Sequence, residues 1–137
     1  MDRPYGKVLD KLRGAGLRPT RQRLALARLL YDSGDQHVTA EHLYALSKSA
    51  DAKVSLATVY NTLHQFKEAG LLREVVVEPG RSYFDTNIDN HHHFYDPQTG
   101  ELIDIPSSHV TLASLPTPPS GKKVDRVDVV VRLSGSD

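Results

Sequence analysis

Three adjacent histidines near the middle of the chain are the side chains best suited to chemistry. They open a segment of alternating apolar residues that predicts a β-strand. Because side chains alternate along a strand, His91 and His93 share one face and His92 points to the other. Asp104, on the expected return strand of a hairpin, can face the same site. The pattern indicates a site for a metal ion or haem, and a solvated strand end is the alternative.

Two residues from the first half of the chain are candidates for the same site. Asp85 ends a predicted strand six residues before His91, and His37 lies in the loop between the second and third predicted helices. Together the five side chains offer three imidazoles and two carboxylates. This donor set suits borderline divalent ions such as zinc, iron or manganese.

A second candidate surface lies on a helix predicted to begin at Ser55. Its inward face is defined by apolar residues at helical spacing, and its outer face carries small, amide and aromatic groups that can touch base edges in a major groove. We expect Tyr60 and Asn61 to contact bases, with Thr58 beside them. The alternative is an ordinary amphipathic helix whose polar face meets solvent.

A basic segment ahead of this helix favours the DNA-reading interpretation. The guanidinium group of Arg21 can clamp a phosphate, and Arg18, just before a helix start, can enter a narrow minor groove. Residues 1–30 carry eight Lys or Arg against two Asp, a charge of +6, whereas residues 74–137 carry five against ten acidic residues, a charge of −5. The basic front end and the acidic back end suggest that two tasks are divided along the chain.

The elements that must position these residues follow the order of a winged helix. Helical spacing predicts helices beginning near Tyr5, Thr20, Thr39 and Ser55, and alternation then predicts strands at 71–77 and 82–85. A second hairpin is expected at 91–95 and 101–105, and a buried strand at 124–133. The predicted fold is α+β: a winged helix-turn-helix DNA-binding domain (1–85), a hinge (86–90), and a small α/β domain for dimerisation and ligand sensing (91–137).

The composition limits the classes of protein that remain. The chain has 137 residues, 39% of them apolar, and no cysteine, which excludes disulfides, thiolate nucleophiles and cysteine-ligated zinc. No apolar stretch is long enough for a membrane span, and the first residues do not form a signal peptide, so we expect a cytoplasmic protein that does not bind membranes. The apolar run 129–131 exceeds what a small domain covers alone, which predicts a homodimer.

The residues resemble the ferric uptake regulator family over nearly the whole chain. The matching stretches are GLRPTRQR (16–23), HVTAEHLY (37–44), SLATVYNTLHQFKEAGLL (55–72), GRSYFD (80–85) and HHH (91–93). The resemblance implies a winged helix, a C-terminal dimerisation domain, a double-stranded DNA operator as partner, and metal bound between the two domains. By position, His37, Asp85, His91, His93 and Asp104 fall on the family's regulatory site. Tyr60 falls on its base-contacting tyrosine and Arg18 on its minor-groove residue.

The sequence departs from the family pattern at several positions. Asp96 and Thr99 stand where many members carry a C-x-x-C pair, so the structural zinc site with cysteine ligands is not expected, and Val127 replaces a ligand of a further metal site. The segments FDTNIDNHHHF, GELIDIP, LPTPPSG and DVVVRL look most like the alphaproteobacterial iron response regulator branch, which implies haem sensing. Without cysteine, histidine is the only route to haem ligation.

Three functions are compared on this basis. The first is a repressor of iron- or haem-related genes that responds to haem, and the second is a regulator that senses Fe, Mn or Zn directly. The third is a small metal-dependent hydrolase using the histidine cluster. An enzyme needs an open metal position and a general base, and the sequence offers no HExxH motif and no base apart from the ligands themselves. We therefore expect a regulator and not an enzyme.

Overall fold

The structure, a computed structural model, describes residues 5–135. The chain forms two compact units, Met1–Ile88 and Asp89–Asp137. The boundary between them falls inside the 86–90 segment that the sequence predicts to be a hinge. Among the described residues, no helix has the length and apolar character needed to cross a bilayer.

The N-terminal unit contains four helices and a three-stranded sheet. Its elements in chain order are α1 (Gly6–Gly14), α2 (Arg21–Tyr31), β1 (His37–Val38), α3 (Ala40–Ser49), α4 (Leu56–Glu68), β2 (Arg73–Glu78) and β3 (Arg81–Asp85). The four predicted helices and the hairpin that follows them, here called the wing (β2 and β3), are confirmed.

Local sequence signals explain where three of the helices begin and how α4 ends. The side-chain oxygens of Thr20, Thr39 and Ser55 accept hydrogen bonds from backbone N–H groups three residues later, which satisfies donors that the helices leave unpaired. Gly70, two residues after α4, has a φ of 80°, a left-handed conformation that glycine adopts without steric cost.

The core of the N-terminal unit is formed by one apolar face of each helix and by the inner face of the sheet. Its buried members are Val8, Leu12, Leu26, Ala27, Leu30, Val38, Ala40, Leu43, Val59, Leu63, Phe66, Leu72 and Phe84. Each large side chain among them contributes about 1.5–3 kcal/mol by leaving water. Tyr31, at the end of α2, donates a 2.8 Å hydrogen bond to the carbonyl of Leu71. This bond ties α2 to the segment that follows α4.

The strand β1 differs from the expectation of a loop at residues 37–38. It is antiparallel to β3, with His37 opposite Asp85 and Val38 opposite Phe84, in a sheet of order β1-β3-β2. Two residues are too few to show an alternating pattern. The strand exists because β3, nearly fifty residues later, supplies its hydrogen-bonding partners.

The C-terminal unit is a second three-stranded sheet. Its strands are β4 (His91–Asp96), β5 (Glu101–Pro106) and β6 (Val130–Arg132), in the order β5-β4-β6, and a 3₁₀ turn spans Ser107–His109. The predicted hairpin is confirmed. The expectation of a buried strand over 124–133 is wrong, because only three residues pair with β4, and Val131 is 37% exposed. A strand at the edge of a sheet is covered on fewer sides than a central one.

Candidate metal centre and nucleic-acid interface

Three of the predicted ligands meet on one face of the C-terminal sheet. His91 and His93 lie two residues apart on β4, and Asp104 is opposite His93 on β5. The carboxylate Oδ1 of Asp104 is 3.5 Å from Nε2 of His91 and 3.3 Å from Nε2 of His93. One ligand atom from each residue lies within 4.8 Å of the others, and both histidines are buried. Two imidazole nitrogens and a carboxylate oxygen therefore converge on a single point.

The hydrogen bonds of the histidine run give its members different roles. Nδ1 of His91 lies 2.6 Å from the backbone carbonyl of Asp89, a bond that requires a proton on Nδ1, so that in the neutral ring the lone pair is on Nε2. Such a bond orients a metal-binding imidazole and raises its basicity. Nδ1 of His92, by contrast, accepts a 3.0 Å hydrogen bond from the N–H of Val129, just before β6. His92 therefore stabilises the pairing of β4 with the segment that leads into β6, whereas His91 and His93 direct Nε2 toward Asp104.

The other two predicted ligands are neighbours in the N-terminal unit. The register of β1 and β3 places His37 directly opposite Asp85, and Arg73 on β2 is opposite Asp85 on the other side. Asp85 is 1% exposed, and its Oδ1 accepts a 2.9 Å hydrogen bond from the N–H of Asn87. The ring of His37 makes an edge contact with Tyr83, at 6.3 Å between centroids. This unit thus presents one imidazole and one carboxylate side by side at the end of its sheet.

The hairpin turn between β4 and β5 is closed by side-chain hydrogen bonds at Asp96 and Thr99, where the sequence has no cysteine pair. The Oδ1 atom of Asp96 accepts from the N–H of Gln98 at 2.9 Å, and the hydroxyl of Thr99 accepts from the N–H of Glu101 at 3.2 Å. The two side chains close the turn between β4 and β5.

The outer face of α4 carries the predicted base-reading side chains. Tyr60 and Asn61 are exposed, and the inward residues predicted at helical spacing are buried, apart from Leu56, which is half-buried. Thr58 is half-buried, and its hydroxyl accepts from Ser55 at 3.0 Å, so it takes part in the N-cap of α4. The face that could enter a groove is therefore centred on Tyr60 and Asn61.

Arg23, the last residue of the basic segment GLRPTRQR (16–23), connects this segment to α4. The sequence alone predicts no individual role for Arg23. Its Nη2 and Nε donate to Oε1 of Gln65 at 2.9 and 3.3 Å, and its Nη1 donates to the carbonyl of Arg18 at 2.9 Å. Arg18 and Arg21 are both exposed, and the first turn of α2 contains no acidic residue. The positive helix N-terminus and its arginines form a surface suited to phosphate.

Tyr60, which we expect to contact a base, also has a hydrogen-bond partner that the sequence did not reveal. The hydroxyl of Tyr60 donates a 2.6 Å hydrogen bond to Oε1 of Glu41 in the first turn of α3. This bond raises the pKa of Tyr60 and lowers that of Glu41, so at neutral pH the phenol keeps its proton and the carboxylate stays ionised. Nineteen residues separate the pair, and no local pattern links them.

Comparisons with known proteins agree with this arrangement. The sequence model of the ferric uptake regulator family matches residues 14–117 of this chain. The ferric uptake regulation protein of Rhizobium leguminosarum bv. viciae is 41% identical over 106 residues, which cover 76% of this chain and 74% of that protein. The peroxide-responsive repressor PerR of Staphylococcus aureus strain Mu50 is 39% identical over 97 residues, 71% of this chain and 65% of the repressor.

Solved structures give the same result for the fold. The ferric uptake regulator from Pseudomonas aeruginosa with manganese superposes with a TM-score of 0.72 at 26% identity, over 94% of this chain and 98% of that one. A zinc-bound manganese uptake regulator superposes with a TM-score of 0.65 at 30% identity, over 90% and 96%. The hydrolase alternative therefore does not hold. The chain belongs to the ferric uptake regulator family of metal-sensing, DNA-binding transcription regulators.

Proposed function

We propose that this protein is a dimeric repressor whose affinity for its DNA operator changes when a divalent ion, Fe, Mn or Zn, binds to five side chains. The ligands are His37, Asp85, His91, His93 and Asp104. The observation that carries the proposal is the convergence of Nε2 of His91 and His93 on Oδ1 of Asp104. Imidazole and carboxylate together suit these ions, and two relatives with solved structures were solved with manganese and with zinc.

The same geometry supports a bare ion over haem. Haem would be held by a single imidazole, as in proteins with one proximal histidine. A bare ion would use both imidazoles and the carboxylate at once, which is the arrangement that His91, His93 and Asp104 form. Haem sensing, and with it placement in the iron response regulator branch, stays a prediction that this geometry does not favour.

The His37–Asp85 pair is proposed to complete the coordination shell. Three protein ligands leave at least one position of a tetrahedral ion open, and more for an octahedral one. The chain from Asp85 to His91 spans six residues and reaches at most about 20 Å, so Asp85 can approach the histidines closely. An ion held by residues on both sides of the 86–90 segment would restrict that segment.

The response of DNA binding follows from this restriction. In a dimer, the orientation of each N-terminal unit sets the separation of the two α4 helices, which must match half-sites about 34 Å apart. An ion that binds one orientation better than the others shifts the population toward it. We propose Arg21 as a phosphate contact, Arg18 as a minor-groove contact, and Tyr60 and Asn61, with Thr58 beside them, as the readers of base edges.

The exposed face of the C-terminal sheet is the proposed dimer interface. Phe94 on β4 is opposite Ile103 on β5 and Val131 on β6, which forms an apolar row across all three strands. Ile103 is 40% exposed and Val131 is 37% exposed in the single chain. A unit of about 50 residues is near the lower limit for a self-sufficient core, so a second copy is the expected cover.

The test is operator binding with and without ligand. An operator is selected from random duplexes with the wild-type chain in Mn²⁺, and its Kd is measured for wild type and for His91→Ala/His93→Ala, each without ligand, with Mn²⁺ and with haem. We expect Mn²⁺ to change the wild-type Kd and to leave the folded double variant unaffected. An equal Mn²⁺ response in both proteins would refute the site, and a response to haem alone would replace the ion with haem.

A further inference from the structure

The hydrogen bond between Tyr60 and Glu41 connects the outer face of α4 to α3. Glu41 lies in the first turn of α3, where the helix dipole favours a carboxylate. The two side chains line a groove of about 530 Å³ between α3, α4 and the wing, and Arg81 at the start of β3 lines the same groove. The tyrosine is therefore held at its hydroxyl end while its ring remains exposed.

The protonation states of the pair fix the direction of their hydrogen bond. The hydrogen bond from Tyr60, with a smaller effect from the charge of Arg81, lowers the pKa of Glu41, and the same bond raises the pKa of Tyr60. An ionised carboxylate can only accept, so the single phenolic proton must point to Glu41. The lone pairs of the phenolic oxygen then remain for any further partner, and that partner must be a donor.

We propose that Glu41 is a specificity-determining residue, which makes the Tyr60 hydroxyl a hydrogen-bond acceptor and so directs it to an exocyclic amine. In the major groove the only base donors are N6 of adenine and N4 of cytosine, whereas guanine and thymine present acceptors. An A·T pair also offers the thymine methyl group to the tyrosine ring. Glu41 thus acts on DNA through Tyr60 as a positioning residue, and the inference rests on the proposed reading role of Tyr60.

The charge of Glu41 has a second consequence. A carboxylate beside a DNA-binding surface repels phosphate, and its removal should not weaken binding to random duplex. A residue that only stabilised the fold would give the opposite result, with weaker binding to every sequence. Loss of sequence preference without loss of general affinity is therefore the effect that separates specificity from structural support.

The experiment compares base preferences in selections from a randomised duplex library, with the full chain in Mn²⁺. The variants are Glu41→Ala, Tyr60→Phe and both together. Glu68→Ala is the matched control, because Glu68 is an exposed acid at the end of α4. Tyr60→Phe removes only the hydroxyl, so the base pair whose preference it relaxes is the one that the hydroxyl reads.

We expect the wild type to prefer one base pair in one orientation at that position, because every pair carries one exocyclic amine in the major groove and its place in the groove depends on the pair. Glu41→Ala should relax the same position, with discrimination against the other three base-pair arrangements reduced roughly tenfold. The double variant should behave as Tyr60→Phe does, and Glu68→Ala should behave as the wild type does.

Several results would overturn the inference. The first is unchanged wild-type affinity for an operator whose preferred pair lacks the exocyclic amine, and the second is an unchanged base preference in Glu41→Ala. A third is an equal loss of affinity for all sequences in Glu41→Ala. If Tyr60→Phe changes the base preference at no position, both this inference and the proposed base contact of Tyr60 fail. The proposed function as a metal-responsive regulator would still hold if the wild type selects an operator only in the presence of metal.

Discussion

Replacement of a single histidine in the 91–93 run should show whether the convergent face of the C-terminal sheet binds metal. Ligand binding to the folded state stabilises it by RT ln(1 + [L]/Kd), which is about 2.7 kcal/mol at a concentration 100 times Kd. For a chain of this length, 1 kcal/mol corresponds to roughly 4 °C in melting temperature. We therefore expect Mn²⁺ at about 100 times its Kd to raise the Tm of the wild type by roughly 10 °C.

His93→Ala removes a nitrogen that lies 3.3 Å from Asp104 and belongs to a buried ring. Loss of even an outer-shell partner weakens metal binding by about 10- to 100-fold, so we take about 100-fold as a minimum for a ligand. The same Mn²⁺ concentration then equals the Kd of the variant. The stabilisation falls to about 0.4 kcal/mol, and the rise in Tm to roughly 2 °C.

His92→Ala is the matched control, because its ring lies on the opposite face of β4. This variant loses the acceptor for the N–H of Val129 and should be less stable by about 1 kcal/mol without metal. Its rise in Tm with Mn²⁺ should nevertheless equal that of the wild type. Differential scanning calorimetry of the metal-stripped chains across a Mn²⁺ series measures all three values. A full rise in His93→Ala, or its loss in His92→Ala, would refute the assignment of ligands.

Three further changes test other parts of the molecule. Tyr60→Ala should weaken binding to the operator by about 1–3 kcal/mol and leave binding to random duplex unaffected. Arg21→Ala should weaken binding to both duplexes and lower the slope of log K against log salt concentration by roughly one unit. Fluorescence anisotropy at several salt concentrations measures both effects. Val131→Asp should give a monomer in sedimentation at micromolar concentration, because it places a charge in the apolar row; a persistent dimer would exclude this face. Lys67→Met breaks a 2.8 Å ion pair with Glu74, whose pKa is lowered because hydrogen bonds and the lysine charge outweigh the opposing effect of burial. The stabilisation from a lowered carboxylate pKa is present at neutral pH and is lost as the pH falls through that pKa. In urea melts, the free energy of unfolding of Lys67→Met should therefore be lower than that of the wild type by up to about 1 kcal/mol at pH 7, and this difference should disappear in acid.

Local signals were sufficient for the helices and for the first set of site residues. The caps at Thr20, Thr39 and Ser55 and the glycine after α4 act over a few residues, so a sequence pattern reveals them. The alternation of side chains along β4 likewise puts His91 and His93 on one face, a consequence of strand geometry that needs no other element. The DNA-binding segments and the family resemblance rest on the same kind of short, ordered motif.

Tertiary structure decided the features that depend on residues far apart in the chain. The strand at His37 exists only because β3 pairs with it. The strand predicted over 124–133 remains partly exposed because only three of its residues, Val130–Arg132, pair at an edge of the sheet. The partner of Tyr60 is brought to it by the packing of α3 on α4, across a separation that no periodicity encodes. Backbone hydrogen bonds and side-chain spacing within one element are local, and the sequence determines them directly. The side chains that meet between elements depend on how the whole core packs, and only the folded chain determines them.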